Sequence, residues 1–111
     1  MLYVESNGTV RLTRGDSARF KITIQQVDKN EEYIIQPGDT LRMTVKKSVD
    51  EAGALIKKEI VGESTFVFDP SDTDHLSYGK YKYDVELTTE AGEVYTVIEP
   101  TVFELLSEVT W

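Results

Sequence analysis

The feature that most constrains the fold is an unbroken alternation of large apolar and charged side chains over residues 79–87. Successive side chains on a β-strand point to opposite faces, so Tyr81, Tyr83, Val85 and Leu87 would share one face and the charged residues the other. A helix would distribute the same residues around its axis. The segment is therefore predicted to be a strand with one buried and one solvated face.

The same two-residue period recurs along most of the chain. Strands are predicted at residues 9–13, 18–26, 33–35, 40–47, 54–61, 65–68, 80–88, 94–98 and 101–109, with residues 2–4 as an optional short strand before the first clear one. Short, regularly spaced strands of this kind are typical of sandwiches and barrels. We expect Phe20, Ile22 and Ile24 to point inward together with the apolar face of residues 80–88.

These patterns predict an all-β protein. No segment is long enough to form the crossover helix of a parallel β-α-β unit, so neighbouring strands are expected to be antiparallel. The arrangement that fits is an immunoglobulin-like β-sandwich of about seven to nine strands with one short helical turn. A small barrel is the alternative. The 111 residues are expected to form a single domain, residues 1–111.

Three places depart from simple alternation. Residues 70–76 are predicted to form the helical turn, with Ser71 as its cap and Asp74 answering it in a capping box. Pro100 is expected to separate two strands. Lys58 falls on the same face as apolar neighbours, and either an edge strand or a bulge would resolve that conflict.

Composition excludes several classes of function. The chain has 20 acidic and 12 basic residues, a formal net charge of −8, and no cysteine. This charge repels nucleic acid and anionic membrane surfaces, so neither is expected as a partner. The absence of cysteine excludes disulfides and thiolate metal sites. No apolar run approaches the roughly 20 residues of a membrane-spanning helix, and the first residues lack a signal-peptide pattern.

Two short motifs allow both a structural and a functional interpretation. Residues 14–17 read Arg-Gly-Asp-Ser, which contains the tripeptide that integrins recognise but also has the composition of a turn between strands. Asp69, Asp72, Asp74 and His75 form the densest group of metal-binding side chains. They lack the loop glycine and distal glutamate of an EF-hand, and acidic residues also favour a helix start. Whether these aspartates bind a cation stays open.

Nothing in the sequence indicates catalysis. The one histidine has no recognisable partners for a hydrolytic triad, and no glycine-rich phosphate loop precedes a helix. We therefore expect a protein that is not an enzyme, has no cofactor and no catalytic or metal-binding residues, and does not bind a small molecule.

Aromatic residues are the remaining candidates for a binding surface. Tyr78, Tyr81, Tyr83 and Tyr95 are the residues on which a carbohydrate-binding module would depend. Tyr81 and Tyr83 fit better in the core, one of them as a tyrosine corner, whereas Tyr95 is expected to be exposed. Trp111 is either packed against the sheet or offered to a partner. Tyr95 and Trp111 are thus the candidate partner contacts.

A family resemblance runs through nearly the whole chain. It is carried by residues 14–17 with Phe20, and by residues 38–40, 45–47, 56–58, 72–73, 76–85, 92–98 and 108–111. On these segments the chain resembles short proteins encoded in tailed phages and prophages of Gram-positive bacteria. It is similar in plan to the N-terminal sandwich domain of their upper baseplate proteins.

The resemblance implies a non-catalytic structural or assembly role in a phage or prophage tail or baseplate. Such a protein is made in the host cytoplasm and becomes associated with the virion. The implied partners are other virion or tail proteins, or further copies of the chain in a symmetric assembly. A carbohydrate-binding module is the alternative function.

Overall fold

A computed structural model describes residues 2–4, 7–26, 29–50 and 53–108 of the protein. In these residues the elements are β1 (Leu2–Val4), β2 (Val10–Thr13), β3 (Ala18–Lys21), β4 (Ile24–Gln26), β5 (Glu31–Tyr33), β6 (Thr40–Lys46), β7 (Ile56–Val61), β8 (Thr65–Phe68), α1 (Pro70–Thr73), β9 (Gly79–Thr88) and β10 (Val94–Leu106). Strands dominate and the helix is one turn long, so the predicted all-β class is confirmed.

The largest layer is a curled six-stranded sheet in the order β1-β2-β10-β9-β6-β7. Most neighbours are antiparallel, as predicted, but β2 and β10 run parallel, with Val10 opposite Phe103. The expectation of purely antiparallel neighbours is therefore wrong at this pair. Parallel pairing is possible here because the whole chain between β2 and β10 serves as the crossover connection.

A second layer covers the inner face of this sheet. It is the antiparallel ribbon of β3 and β8. Aromatic side chains join the layers: the ring centroids of Phe20 and Tyr83 lie 6.1 Å apart, and those of Phe68 and Phe103 lie 5.8 Å apart. The buried core comprises Val10, Leu12, Phe20, Ile22, Leu41, Met43, Val45, Ile56, Phe66, Phe68, Tyr81, Tyr83, Val85, Leu87, Phe103 and Leu105. The predicted period-two burial is confirmed.

The predicted strand at residues 18–26 is split in two. The chain leaves β8 after Lys21, and β4 then pairs with β5 in a separate hairpin at one end of the molecule. This split helps to raise the number of strands to ten in the described residues, above the predicted range. It also explains Ile24, which packs against the edge of the core and is only half-buried, not fully buried as expected.

Pro100 lies within β10 and does not end a strand. The register of β10 against β9 shifts between Thr96 and Ile98 and again between Ile98 and Thr101. Pro100 falls in the second shift, where the strand has no partner for it. A proline lacks the N–H of a ladder hydrogen bond, and bulges tolerate it for that reason. The prediction of two separate strands is therefore wrong.

Lys58, which the sequence places among apolar neighbours, lies in an edge strand. This is one of the two predicted alternatives, the other being a bulge. β7 is the last strand of the six-stranded sheet. The ammonium group of Lys58 lies 2.7 Å from Oδ2 of Asp72 in α1 and 5.6 Å from the ring centre of Phe68. A charge on the inner side of an edge strand opposes pairing with another sheet.

The helical turn begins at the predicted residue, Pro70, but it ends at Thr73, three residues earlier than predicted. Asp69 is the N-cap residue, Pro70 is the first helical residue, and the backbone N–H of Asp69 donates to Oδ2 of Asp72 at 2.7 Å. The capping box therefore uses Asp69 and Asp72 in place of Ser71 and Asp74. Proline favours the first helical position because that N–H has no partner within the helix.

Candidate functional site

An open cleft of about 800 Å³ lies at the end of the molecule where two hairpins face each other. One is the β4–β5 hairpin, and the other joins β9 to β10 through residues 89–93. The cleft is lined by Thr23, Ile24, Gln25, Gln26, Lys29, Tyr33, Gln36, Asp39, Leu87, Thr89, Glu90, Ala91, Glu93, Tyr95, Thr96 and Val97. A volume of this size falls in the range of ligand pockets.

Tyr95 is the aromatic residue most open to a ligand in this cleft. It is paired with Leu87 across β9 and β10, and directly paired residues share a face, so its ring lies on the inner face of the sheet. Half of its surface is nevertheless exposed, because the covering ribbon leaves this end of the sheet open. The predicted exposure is confirmed, but its cause is an uncovered stretch of inner face. The ring of Tyr95 is thus exposed without pointing to the outer face of the sheet.

A single buried carboxylate holds the two hairpins together. Asp39 is 1% exposed. Its Oδ2 accepts hydrogen bonds from the hydroxyl of Tyr33 at 2.5 Å and the N–H of Gln36 at 2.9 Å, and its Oδ1 accepts one from the N–H of Glu90 at 3.0 Å. Burial alone would raise the pKa of Asp39, but these three donors outweigh it and lower the pKa.

The two sides of the cleft are also in direct contact. The side chain of Glu90 lies so close to Gly38 that a Cβ at that position would collide with it. Residues 36–39 form the predicted turn, with the N–H of Asp39 donating to the carbonyl of Gln36 at 3.0 Å. Gly38 does not adopt a positive φ, so its role is this close approach. The cleft is therefore preformed.

The cleft has an acidic character. The hydrogen bond to Asp39, burial and the charges of Asp39, Glu90 and Glu93 raise the pKa of Tyr33 to about 12. The hydroxyl of Tyr95 donates to Oε2 of Glu93 at 3.2 Å, which raises the pKa of Tyr95. Among the described lining residues, only Lys29 is basic.

The opposite end of the molecule is built around Arg14, which contacts Leu76, Tyr78 and Glu108. The guanidinium of Arg14 donates to the carbonyl of Leu76 at 3.2 Å and to Oε1 of Glu108 at 2.9 Å, and it lies 4.2 Å from the ring centre of Tyr78. The hydrogen bond to Glu108 raises the pKa of Arg14 and lowers that of Glu108. We call these four residues the closed end and the cleft the open end.

The Arg-Gly-Asp motif belongs to the closed end. Gly15 has a φ of 82°, its N–H donates to Oγ1 of Thr73 at 2.8 Å, and the N–H of Asp16 donates to the carbonyl of Thr13 at 3.1 Å. The predicted turn is confirmed. The arginine of the motif is already engaged in contacts within the chain.

The acidic group at α1 is divided among separate contacts. Asp72 binds Lys58 and the backbone N–H of Asp69, while the carboxylate of Asp74 lies 3.6 Å from Nδ1 of His75. In the described part of the chain, no three acidic, histidine or cysteine side chains converge on a common point.

The four tyrosines do not form one platform. Tyr81 and Tyr83 are buried in the core, as expected. Tyr78 is 41% exposed, but it lies just before β9 and nine residues from Leu87, the partner of Tyr95, so about 30 Å of nearly extended chain separates the two exposed tyrosines. Trp111, the other candidate partner contact, lies outside the described residues, as does Val109 at the end of the last predicted strand.

Sequence reasoning identified Tyr95 but missed Asp39, Glu90 and Glu93. An aspartate just before an apolar strand, after a Pro-Gly turn, signals a hydrogen bond to nearby backbone N–H groups. That signal predicts the bond to Gln36. It carries no information about Glu90, which lies 51 residues further along the chain.

The comparisons with known proteins give no relative. No protein-family model, no curated protein and no solved structure matches the chain. Among the residues that the structure describes, no helix combines the length and the apolar surface needed to cross a membrane.

Proposed function

We propose that this protein is a non-catalytic assembly module of a phage or prophage tail or baseplate, and that it docks onto a neighbouring tail protein through the open-end cleft. The single observation that carries the docking surface is the half-exposed ring of Tyr95 on the inner face of the sheet, inside a preformed cleft. The phage context rests on the sequence resemblance described above.

The physical argument is one of preorganisation. Tyrosine is enriched among the residues that dominate binding at protein interfaces, particularly in pockets that exclude water. Ordering a mobile loop on binding costs free energy, and here Asp39 already fixes both sides of the cleft. A partner that fills this cleft would therefore gain apolar contact with Tyr95 at a small entropic cost.

The outer edge of β7 is a weaker candidate for docking. Strand pairing at a sheet edge is a common mode of assembly. However, Lys58 lies on the inner side of this strand, and Lys57 and Glu59 are exposed along it. Charges on both faces of an edge strand oppose pairing with another sheet. This contrast favours the cleft as the docking site.

An immunoglobulin-like sandwich is the finer fold assignment that we propose. The early strand β2 lies parallel to the last strand β10, and the β3–β8 ribbon faces the larger sheet. The hydroxyl of Tyr81, near the start of β9, donates to the carbonyl of Ser77 at 2.7 Å. This contact has the geometry of a tyrosine corner, which supports the assignment. In that fold, the cleft occupies the end that presents binding loops.

Co-expression with the proteins encoded by the neighbouring genes tests the proposed function. We expect one of them to co-purify with the wild-type protein and to be lost with Tyr95→Ala. Val94→Ala is the matched control, because Val94 is 57% exposed on the same strand but is paired with Thr88 on the outer face. A chain that stays monomeric at high concentration and binds none of these proteins would contradict the proposal, as would equal losses in both variants.

A carbohydrate ligand is the second candidate. Amide and hydroxyl groups from Gln25, Gln26, Gln36 and Thr96 line the cleft beside Tyr95. Neutral groups that donate and accept hydrogen bonds, next to an aromatic ring, suit a sugar. A glycan array with the wild-type protein and Tyr95→Ala tests this candidate, and the absence of any signal that depends on Tyr95 would exclude it.

A further inference from the structure

We propose that the cleft recognises a cationic side chain, a lysine or arginine of the partner protein, which lies over the ring of Tyr95 beside the carboxylate of Glu93. This inference rests on the proposed docking function and adds the chemistry of the occupant. It follows from the charges in the cleft and from a comparison of the two ends of the molecule.

The carboxylates of Asp39 and Glu93 differ in their hydrogen bonds and in their exposure to a ligand. Asp39 is 1% exposed and accepts hydrogen bonds from Tyr33, Gln36 and Glu90, so its carboxylate is not accessible to a ligand. Glu93 is exposed and receives a bond from the hydroxyl of Tyr95, which fixes a negative charge at the edge of that ring. An aromatic ring with a carboxylate at its edge attracts a cation through both the ring quadrupole and the charge.

The closed end contains the same constellation in a completed form. There, a tyrosine (Tyr78) and a glutamate (Glu108) hold the guanidinium of Arg14, at 4.2 Å from the ring centre and 2.9 Å from the carboxylate oxygen. At the open end, the hydroxyl of Tyr95 donates to Oε2 of Glu93 at 3.2 Å. Among the described residues, no guanidinium or ammonium group lies over the ring of Tyr95. A partner's arginine or lysine would supply the missing cation.

NMR titration with a blocked arginine, N-acetyl-arginine methylamide, tests this inference directly. We expect progressive shifts of the backbone amide signals of residues 89–97, and no shifts around Tyr78, where the site is already filled. N-acetyl-citrulline methylamide is the matched neutral probe, because it keeps the shape of arginine without the charge. Binding of the citrulline probe should be weaker by roughly threefold or more.

Two substitutions separate the charge from the ring. Glu93→Gln keeps the size of the side chain and should weaken the arginine probe but not the citrulline probe. Tyr95→Leu should weaken both probes. Because Glu93 is exposed and Tyr95 is half-exposed, both variants should fold, and the dispersion of their NMR spectra verifies it.

The inference is overturned if blocked arginine and citrulline bind equally, if neither produces shifts, or if N-acetylglucosamine shifts the same amides while blocked arginine does not. These outcomes differ from failure of the docking proposal. If a tail protein is lost with Tyr95→Ala but still binds Glu93→Gln at full strength, docking at the cleft stands and the cationic occupant is wrong.

Discussion

The open and closed ends of the molecule contain tyrosines of similar exposure in very different surroundings. Tyr78 is 41% exposed and Tyr95 is 50% exposed. Tyr78 stacks with Arg14, which is itself bound to Glu108, so its contacts are satisfied within the chain. Tyr95 lies in a cleft whose two sides are joined by hydrogen bonds to Asp39. The fraction of exposed surface therefore does not identify a binding residue, whereas the groups around the ring do.

The largest loss of stability is expected from Asp39→Ala, which should release the two sides of the cleft from each other. The substitution leaves the N–H groups of Gln36 and Glu90 and the hydroxyl of Tyr33 without their shared acceptor. We expect a loss of about 3 kcal/mol in the free energy of unfolding, measured by urea denaturation. Hydrogen exchange should accelerate at residues 89–93 and not at the closed end.

Asp39→Asn is the matched control for this substitution. The amide keeps one oxygen acceptor but places an NH₂ group where the carboxylate accepted a second set of bonds. Its destabilisation should be about half that of Asp39→Ala. Equal stability of wild type and Asp39→Ala would show that the hydrogen bonds of Asp39 do not hold the cleft.

The stability of the protein should depend on alkaline pH through Tyr33 in the open-end cleft. The pKa of Tyr33 is raised from 10.0 to about 12, chiefly by its hydrogen bond to Asp39. A pKa that is higher in the folded state contributes stability that is complete below the unfolded value and is lost as the pH rises toward 12. Wild type should therefore lose stability between these two values, and Tyr33→Phe should lose less.

Absorbance titration of the phenols checks the cause of this dependence. Burial also raises the pKa of Tyr83 to about 12, so Tyr33 and Tyr83 should both ionise late in the wild type. In Asp39→Asn, Tyr33 should ionise earlier and Tyr83 should not change. A late transition of both phenols in that variant would contradict the role of Asp39.

The layers of this fold could be predicted from the sequence, because alternation reports burial directly. β8 has the predicted bounds, and the inward face of β9 is the predicted one. The parallel pairing of β2 with β10 could not be predicted, since it depends on which strands meet after the chain has folded. Pro100 was misplaced because a bulge tolerates a residue that a regular ladder excludes.

The candidate site was less predictable than the fold. Tyr95 could be identified from its strand, but the cleft is created by contacts between segments that are far apart in sequence. The bond from Glu90 to Asp39 joins a hairpin tip to a distant turn. Local patterns predict which face a side chain occupies, and they do not predict where a covering layer stops.

A smaller effect is expected at the start of β9. Tyr81→Phe removes the hydroxyl that donates to the carbonyl of Ser77 at 2.7 Å and keeps the buried ring. We expect a loss of about 1 kcal/mol in the free energy of unfolding. Tyr95→Phe is the control, because it removes an exposed hydroxyl and should not change stability. A similar loss in both variants would mean that the bond to Ser77 makes no particular contribution.

The smallest effects on stability sharpen the comparison between the two exposed tyrosines. Tyr78→Ala removes the ring over which Arg14 lies, so the urea midpoint should fall slightly. Tyr95→Ala removes a half-exposed ring whose hydroxyl bonds only to the exposed Glu93 among the described residues, so the midpoint should stay nearly constant while binding of the tail protein is lost. If Tyr95→Ala destabilised the protein as much as Tyr78→Ala, Tyr95 would be a structural residue. It would then be wrong to distinguish a closed end, where Arg14 of the same chain contacts the tyrosine, from an open end, where a partner protein does so.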